Sequence, residues 1–464
     1  MRFDSSSALT EQERSGRFEV KRLGWFFLAL AILSAWHIYH GARGTHWSRP
    51  PLPHGDGPDY ESLAYSLSRG EGFQFAWRTE AWQKPYREDR DAQSYAQLSR
   101  IDWPGPTASR PPLYPMAIAG IYSVVPRGPR AFAAVRVFSI LCTAMAGALA
   151  VWIAFDLTSD LRVSRWVPIL AAVATLGLAL LDRTIRTYSV DFLTEPMAML
   201  LSMSIALSLM RWQQGHQASR FWFTLLVLAT SALILTRSIT IFWLPGLAIL
   251  VAASTRFNRL RWTCWFIVLV VLMLAPWWTR NCVVLQHIMP LGGQGAASLR
   301  GGYCDESLAD RGNWHGEAEE RLQRQLDGEP GCEGWTQAQR EVALAHRASR
   351  ETWDWIAANR MQLPSLMAMR VESHWSPFTG TSLLWRIAIL MGWLGLALSR
   401  RRELIALLGL PVISTCTVAI LYETGGRFLV PLYALLYLTA GIGVALAIEG
   451  IARRMFALRR PYRS

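Results

Sequence analysis

Charged residues are scarce in this sequence. They make up 17% of its 464 residues, whereas about 25% is usual in a soluble domain. Hydrophobic residues make up 52%, and they gather in blocks such as LGWFFLALAILSAW and WFIVLVVLMLAPWW. Such blocks approach the roughly 17–25 residues that cross a bilayer as a helix. The sequence therefore predicts an all-α polytopic membrane protein, which we treat as a single transmembrane domain over residues 1–464.

The formal charge of +13 would suit nucleic acid, but the arginines lie between the apolar blocks. The positive-inside rule accounts for that placement, so we predict a lipid bilayer and no nucleic acid as partner. Lys21 and Arg22 precede the first apolar block, and no small-x-small cleavage site follows cleanly. We interpret this block as an uncleaved signal anchor.

Hydropathy predicts about ten membrane spans. They lie near residues 22–40, 131–156, 165–182, 193–211, 221–236, 239–254, 263–279, 383–399, 404–422 and 428–449. Residues 221–254 form one apolar stretch that is too long for a single span, and both its flanks are basic. We therefore interpret this stretch as a hairpin with Arg237 at its outer turn.

Arginines in alternate connectors orient the spans. These are Arg162 and Arg165; Arg211 and Arg220; Arg256, Arg259 and Arg261; Arg400, Arg401 and Arg402; and, in the basic tail 450–464, Arg453, Arg454, Arg459, Arg460 and Arg463. With both termini in the cytoplasm of a plasma (inner) membrane, all of them fall inside. The long loops 42–130 and 280–382 then face outward.

Cysteine is also sparse, with six residues and no CxxC or HExxH pattern, so the sequence carries no zinc signature. Cys142, Cys264 and Cys416 lie inside apolar spans, which is typical of inert core thiols. Cys304 and Cys332 share the second outer loop. Because an outer compartment permits oxidation, a Cys304–Cys332 disulfide is our hypothesis.

The first outer loop begins HGDGPDYESLAYSLSRGEGF. Pro58, the helical spacing of the apolar residues after it, and the terminal Gly70 and Gly72 predict a short amphipathic helix on the membrane surface. Asp56 lies at its N-terminus, where it either caps the helix or serves a site. Further on, Arg110 precedes two prolines, and a helix towards the second span is expected after them. This arginine either binds a phosphate or anchors the interface.

Four more ionisable residues lie at outer span ends in the predicted topology: Glu195, Arg237, Arg280 and Arg427. Each alone is ordinary at an interface, but ionisable groups at membrane depth are costly and tend to mark sites. The three arginines, together with Asp56 and Arg110, place one acid and several guanidinium groups on one side of the bilayer, which suits the phosphate of an anionic lipid.

The segments HGDGPDYESLA, SRPPLYP, LTEP, LTRS, APWWTRN and GGRFLVPLY occur in this order over about residues 20–450. In this order and topology they resemble bacterial GT-C glycosyltransferases. The branch is glycosyltransferase family 39, similar to protein O-mannosyltransferases and related to lipid A aminoarabinose transferases. The resemblance implies an inverting transfer of a sugar from a polyprenyl-phosphate donor to a hydroxyl acceptor at the outer face.

The resemblance also implies roles for single residues. Asp56, with Tyr60 four positions on, matches the acid that acts as base or orients the acceptor, and we prefer it to Asp59 for that reason. Gly57 stands where the family often has a second acid, which puts a metal role in doubt. Arg110 matches the basic residue that faces the donor phosphate. The remaining predicted donor or substrate contacts are Tyr60, Tyr114, Glu195, Arg237, Arg280 and Arg427.

Neither the sugar nor the acceptor follows from the sequence, and a divalent metal is neither required nor excluded by it. The second outer loop has helical spacing at Leu344, Ala348 and Trp355, which predicts a partly helical cover. A carrier of lipid-linked sugars or envelope polymer precursors is the alternative, although carriers place charges near the midplane. A non-catalytic assembly protein, with Asp56 outside any cavity, is a third interpretation.

Overall fold

The computed structural model describes residues 5–44, 46–53, 55–88, 103–161, 163–213, 219–255, 258–376 and 382–458. Among them regular secondary structure is helical, and only two isolated β-bridges occur. The all-helical prediction is confirmed for this part of the chain. Arg162, Arg256, Arg459, Arg460 and Arg463, used above for topology, lie outside the described residues.

We number the α-helices in chain order. They are α1 Ser5–Ala42, α2 Gly57–Ser68, α3 Glu80–Glu88, α4 Leu113–Val124, α5 Pro129–Ser159, α6 Val167–Leu181, α7 Arg183–Ser189, α8 Glu195–Gln213, α9 Ser219–Thr236, α10 Leu244–Ser254, α11 Arg259–Leu285, α12 Gln294–Gly302, α13 Asp305–Ala309, α14 Gly316–Asp327, α15 Gln337–Ala358, α16 Leu363–His374, α17 Ser382–Leu398, α18 Leu404–Ile420 and α19 Tyr433–Leu458. Short 3₁₀ helices cover Ser238–Trp243, Cys332–Gly334 and Arg427–Leu432.

The apolar blocks fold into helices, as membrane spans require. Five of the described segments are long and apolar enough to cross a bilayer: Leu23–Ala42, Pro129–Ser159, Ser219–Thr236, Arg259–Leu285 and Arg427–Met455. The pair α6 and α7, bent by 62° at Asp182, gives a sixth if it counts as one span. Membrane character is therefore supported, while ten crossings, the plasma membrane and the orientation stay predictions.

Helices also coincide with the other predicted spans, but they are shorter or less apolar. The break expected within residues 221–254 is present: α9 ends at Thr236, Arg237 is extended, and a 3₁₀ turn begins at Ser238. The hairpin interpretation requires such a break, because an unbroken helix of this length would not turn back.

The last segment is the centre of the bundle and the first lies at its edge. In the most apolar part of Arg427–Met455 89% of the residues are buried, against 17% for Leu23–Ala42. Glycines let α17 and α19 approach closely. A Cβ at Gly443 would meet the Ala388 carbonyl oxygen at 1.9 Å, and one at Gly392 would meet that of Thr439 at 2.0 Å. Small residues at such a contact are typical of helices packed in membranes.

Helix α2 begins and ends close to the predicted positions, but it is not a surface helix. Its residues from Tyr60 to Ser66 are buried or nearly so, including Glu61. Both Glu61 oxygens are bound by Arg127, at 2.5 and 3.1 Å, and one accepts from Tyr122 at 3.0 Å. Trp82 and Tyr86 donate to the other oxygen. Because this charge is paired, the polar side of α2 is packed inside the protein instead of facing water.

The second outer loop is helical from α12 to α16, as predicted in part. Leu344 and Ala348 of α15 pack with Ala297 of α12 and Leu322 of α14. The Cys304–Cys332 disulfide is wrong for this structure, since both thiols are free. Each is held by a local contact instead: Cys304 with the Gly301 carbonyl, at the start of α13, and Cys332 with the Asp327 carbonyl, past the end of α14. Cysteine content alone does not specify such placement.

We predict that Glu61→Gln destabilises the fold strongly. The substitution leaves Arg127 nearly buried without its counter-charge, which typically costs about 3–5 kcal/mol. Denaturant unfolding of the purified protein in mixed micelles measures the loss. Glu71→Gln, in the exposed Arg69–Glu71 pair, is the matched control and should cost roughly 0–1 kcal/mol. Similar losses in the two variants would contradict the assignment of a buried ion pair.

Candidate functional site

Asp56 lies between two arginines that are far from it in the chain. One carboxylate oxygen is 2.8 Å from the Arg110 guanidinium, and the other is 2.8 Å from the Arg427 guanidinium. Arg110 is held rigidly by the prolines that precede α4, and Arg427 starts the 3₁₀ turn that leads into α19. Three segments of the fold therefore meet at one carboxylate.

Glu195 and Arg237 extend this cluster. Glu195, the first residue of α8, is fully buried and accepts from both Arg427 and Arg237, the latter at 2.7 Å. Arg237 also donates to the Thr194 hydroxyl at 3.2 Å. The extended backbone at Arg237, where α9 ends, turns its side chain towards the start of α8. Among the predicted residues the structure thus brings together Asp56, Arg110, Glu195, Arg237 and Arg427.

The capping interpretation of Asp56 is wrong. Asp56 occupies the position before α2, but its side chain makes no capping hydrogen bond, because both oxygens point to the arginines. Burial by itself would raise the pKa of Asp56, but the positive charges of Arg110 and Arg427 outweigh it and hold the pKa well below its usual range. The carboxylate is therefore ionised at neutral pH and is a weak base while both arginines pair with it.

Asp59, to which Asp56 was preferred on sequence grounds, also belongs to the cluster. It lies one helical turn after Asp56, so both side chains point the same way. Its carboxylate accepts from two nitrogens of Arg110, at 3.0 and 2.5 Å. The second acid that Gly57 lacks is thus supplied at position 59. Helical spacing in the predicted α2 could have found it.

The cluster opens into a cavity of about 740 Å³ that residues of both long loops line. Asp56, Asp59, Tyr60, Arg110, Arg237 and Arg427 line one end. Phe75 and Trp77, whose rings stack at 4.4 Å, and residues of α12, α14 and α15 line the rest. Tyr60 lies under Arg110, with 5.4 Å between its ring centre and the guanidinium carbon. The cavity combines an ionic end with a wider polar and aromatic part.

Three predicted contact residues do not line this cavity in the described part of the chain: Tyr114, Glu195 and Arg280. Tyr114 is fully buried and packs edge-on against Tyr60. Arg280 donates to the carbonyls of Thr107, at 2.5 Å, and Phe73, at 3.2 Å. Tyr114 thus packs against the lining residue Tyr60, and Glu195 binds the lining residues Arg237 and Arg427. Arg280 binds the backbone of the first long loop.

The second loop is tied to the first next to Arg110. Glu341 of α15 accepts from the Ala108 amide at 3.0 Å and from the Thr107 hydroxyl. Gln294 of α12, with its amide oxygen towards the arginine, accepts from Arg110 at 2.7 Å and donates to the Ser109 carbonyl. The second loop thus contacts the residues beside Arg110 directly. The sequence predicted only that it covers the cavity.

The turn before Arg427 is locked by a buried pair that the sequence did not reveal. His374, at the end of α16, lies 2.5 Å from Glu423, and both side chains are fully buried. The other Glu423 oxygen accepts from the Thr424 and Gly426 amides, at 2.7 and 3.1 Å. This fixes the chain that carries Arg427. A lone histidine in a loop gives no signal for such a role.

No group of three or more His, Cys, Asp or Glu side chains suited to a metal ion occurs among the described residues. The two acids of the cluster that line the cavity, Asp56 and Asp59, are paired with guanidinium groups. The charged groups of the cluster thus pair with one another.

The chain matches no protein-family model, and no curated protein matches it significantly. The resemblance to GT-C glycosyltransferases therefore stays a prediction.

We predict that the stabilisation from Asp56 depends on pH. Its folded-state pKa lies below the value of about 3.9 in an unfolded chain, so the ionised form favours folding. This contribution is complete above about pH 5 and is lost as the pH falls below about 4. Asp56→Asn should therefore lower the free energy of unfolding at pH 7, with a difference from wild type that shrinks in acid.

Unfolding in micelles between about pH 2 and 8 measures this difference. Asp354→Asn, on an exposed face of α15, controls for the loss of one negative charge. A difference between Asp56→Asn and wild type that is constant over this range would contradict the prediction.

Proposed function

We propose that this protein is an inverting glycosyltransferase of the GT-C type, similar to bacterial protein O-mannosyltransferases, that uses a polyprenyl-phosphate sugar at the outer face of the membrane. The observation that carries the proposal is the position of Asp56, bound on both sides by Arg110 and Arg427 at the wall of a large cavity. Such a transfer needs an acid for the acceptor hydroxyl and positive groups for the donor phosphate. Asp56, Arg110 and Arg427 would supply these groups and are in direct contact.

The donor phosphate binds between Arg110 and Arg427 in this proposal. Guanidinium groups pair with phosphate oxygens through two parallel hydrogen bonds, and the pairing is strong where water is limited. The leaving phosphate is already anionic, so it needs electrostatic stabilisation more than a proton. Asp59 and Glu195 help to hold the two arginines in place, because Asp59 also binds Arg110 and Glu195 also binds Arg427.

Donor binding activates Asp56 in this mechanism. A phosphate that takes over the hydrogen bonds of Arg110 and Arg427 releases the carboxylate from the two charges that depress its pKa. The acceptor hydroxyl oxygen then attacks the anomeric carbon from the face opposite the phosphate. The bond from that carbon to the phosphate oxygen breaks, its electron pair stays on phosphate, and the hydroxyl proton passes to Asp56.

The acceptor occupies the wider part of the cavity. Phe75 and Trp77 offer an aromatic face, and α14 and α15 contribute polar groups such as Gln323 and Gln337. A hydroxyl-bearing acceptor from protein, lipid or envelope glycan suits this lining, since aromatic faces and amides contact sugars and polar chains alike.

A carrier of lipid-linked sugars remains the rival function. The charges gather where the starts of α2, α8 and the Arg427–Leu432 turn meet the end of α9. Carriers instead hold their charged site near the bilayer midplane. The sequence predicts these charges at the outer ends of the spans, away from the midplane, and this predicted position favours the transferase.

The test uses purified full-length protein in detergent with a radiolabelled polyprenyl-phosphate hexose and an envelope fraction as acceptor. Asp56→Asn should lower kcat roughly 100–10,000-fold, as expected for loss of a base. Its KM for the donor should not rise, because the arginines lose a competing partner. Arg427→Gln should instead raise the donor KM. Asp354→Asn is the control for charge.

Transfer at the wild-type rate by Asp56→Asn would exclude the mechanism. Retention of anomeric configuration in the product would exclude inversion. In liposomes that contain the protein, the labelled donor could instead cross the bilayer while its sugar stays attached to the polyprenyl phosphate. That result would favour the carrier.

A further inference from the structure

A second cavity of about 370 Å³ lies where the end of α1 meets α7. Its lining is strongly basic: His37, His40, Arg183 and Arg186, with Gly41, Thr187 and Val190. It shares no lining residue with the cavity around Asp56. Neither the sequence analysis nor the proposed function uses these side chains.

The bend at Asp182 builds this cavity. The 62° turn between α6 and α7 directs Arg183 and Arg186 towards α1. Gly41 allows the approach, because a Cβ there would lie 2.8 Å from both Trp47 and Val190. The Asp182 side chain is used locally, where it accepts from the Ile185 amide at 3.0 Å.

Several buried polar atoms face this cavity without a partner among the described residues. His37 is 1% exposed, and neither of its ring nitrogens is hydrogen-bonded. The same holds for His40 Nε2 and Arg186 Nε. Buried polar groups are nearly always hydrogen-bonded in native proteins, so this set points to a ligand with several acceptor oxygens.

The charge of the lining selects an anion. In contrast to the cluster at Asp56, no carboxylate of the described chain forms an ion pair with Arg183 or Arg186. Two guanidinium groups and two imidazoles can supply hydrogen bonds to one tetrahedral oxyanion, and arginine is especially suited to phosphate.

The surroundings indicate a membrane interface. Trp36, Tyr39 and Leu181, next to the cavity, are 36%, 49% and 73% exposed. Trp36 packs edge-on against His40 with 4.4 Å between ring centres. Exposed tryptophan and tyrosine are enriched at the level of lipid head groups, which is where a lipid phosphate lies.

We propose that this second cavity binds a phosphate group, carried by an anionic lipid or present as free phosphate. Arg183 and Arg186 neutralise the charge, while His37 and His40 donate to the oxygens from α1. Bound phosphate bridges α1 and α7. The proposal does not rest on the transferase function.

The test uses full-length protein in a maltoside detergent. Native mass spectrometry measures retention of phosphatidylglycerol against phosphatidylcholine, and calorimetry measures binding of inorganic phosphate. The wild type should retain one phosphatidylglycerol in preference to phosphatidylcholine. Arg186→Gln should weaken retention roughly tenfold, as loss of a charge-assisted hydrogen bond predicts.

Arg183→Gln changes the same cavity at an exposed position, so it covers the case in which Arg186→Gln does not fold. Arg130→Gln removes an exposed charge from the first turn of α5 and should stay within about twofold of wild type. Binding of inorganic phosphate alone, with the same dependence on Arg183 and Arg186, would assign free phosphate as the source. Equal retention of the two lipids and no phosphate binding, or equal loss in all three variants, would overturn the proposal.

Discussion

The mutual neutralisation of buried charges is the constraint on which the rest of this structure depends. Arg110, Arg237 and Arg427 face Asp56, Asp59 and Glu195 in one chain of ion pairs. Removing one partner of such a network leaves a buried charge that costs several kcal/mol, roughly 3–5. The first loop, the start of α8, the end of α9 and the start of the last segment are therefore held together, and the large cavity exists because they are.

The same pairing sets the chemistry available. A carboxylate between two guanidinium groups is ionised but weakly basic, and only a competing anion changes that. Substrate phosphate would thus be both the ligand and the switch for the base, which couples donor binding to reaction. The second basic cavity differs because its arginines form no ion pair with a carboxylate of the described chain. Among the residues that the structure describes, its lining contains basic side chains but no carboxylate that could act as a base, so its composition suits binding alone.

The two long loops are bound to each other by side-chain contacts. Glu341 and Gln294 bind the chain beside Arg110, and His374 holds the turn before Arg427. A Cβ at Gly292 would lie 1.8 Å from the Ala108 carbonyl oxygen. The backbones of the two loops are therefore too close here for any side chain at position 292. The helices of the second loop thus contribute to the positions of both arginines that flank Asp56, besides lining the cavity.

The sequence by itself determined the helical class, the apolar segments that suit a membrane, the break at Arg237 and the choice of Asp56 as a candidate, because hydropathy, helix signals and charge are local properties. Only the tertiary structure decided which charges pair. Arg110 meets Asp59 across 51 residues, and Arg427 meets Glu195 across 232. The sequence also did not predict the burial of α2, the free thiols or the contacts of Tyr114 and Arg280. Burial and partner choice depend on packing between distant segments, which periodicity does not encode.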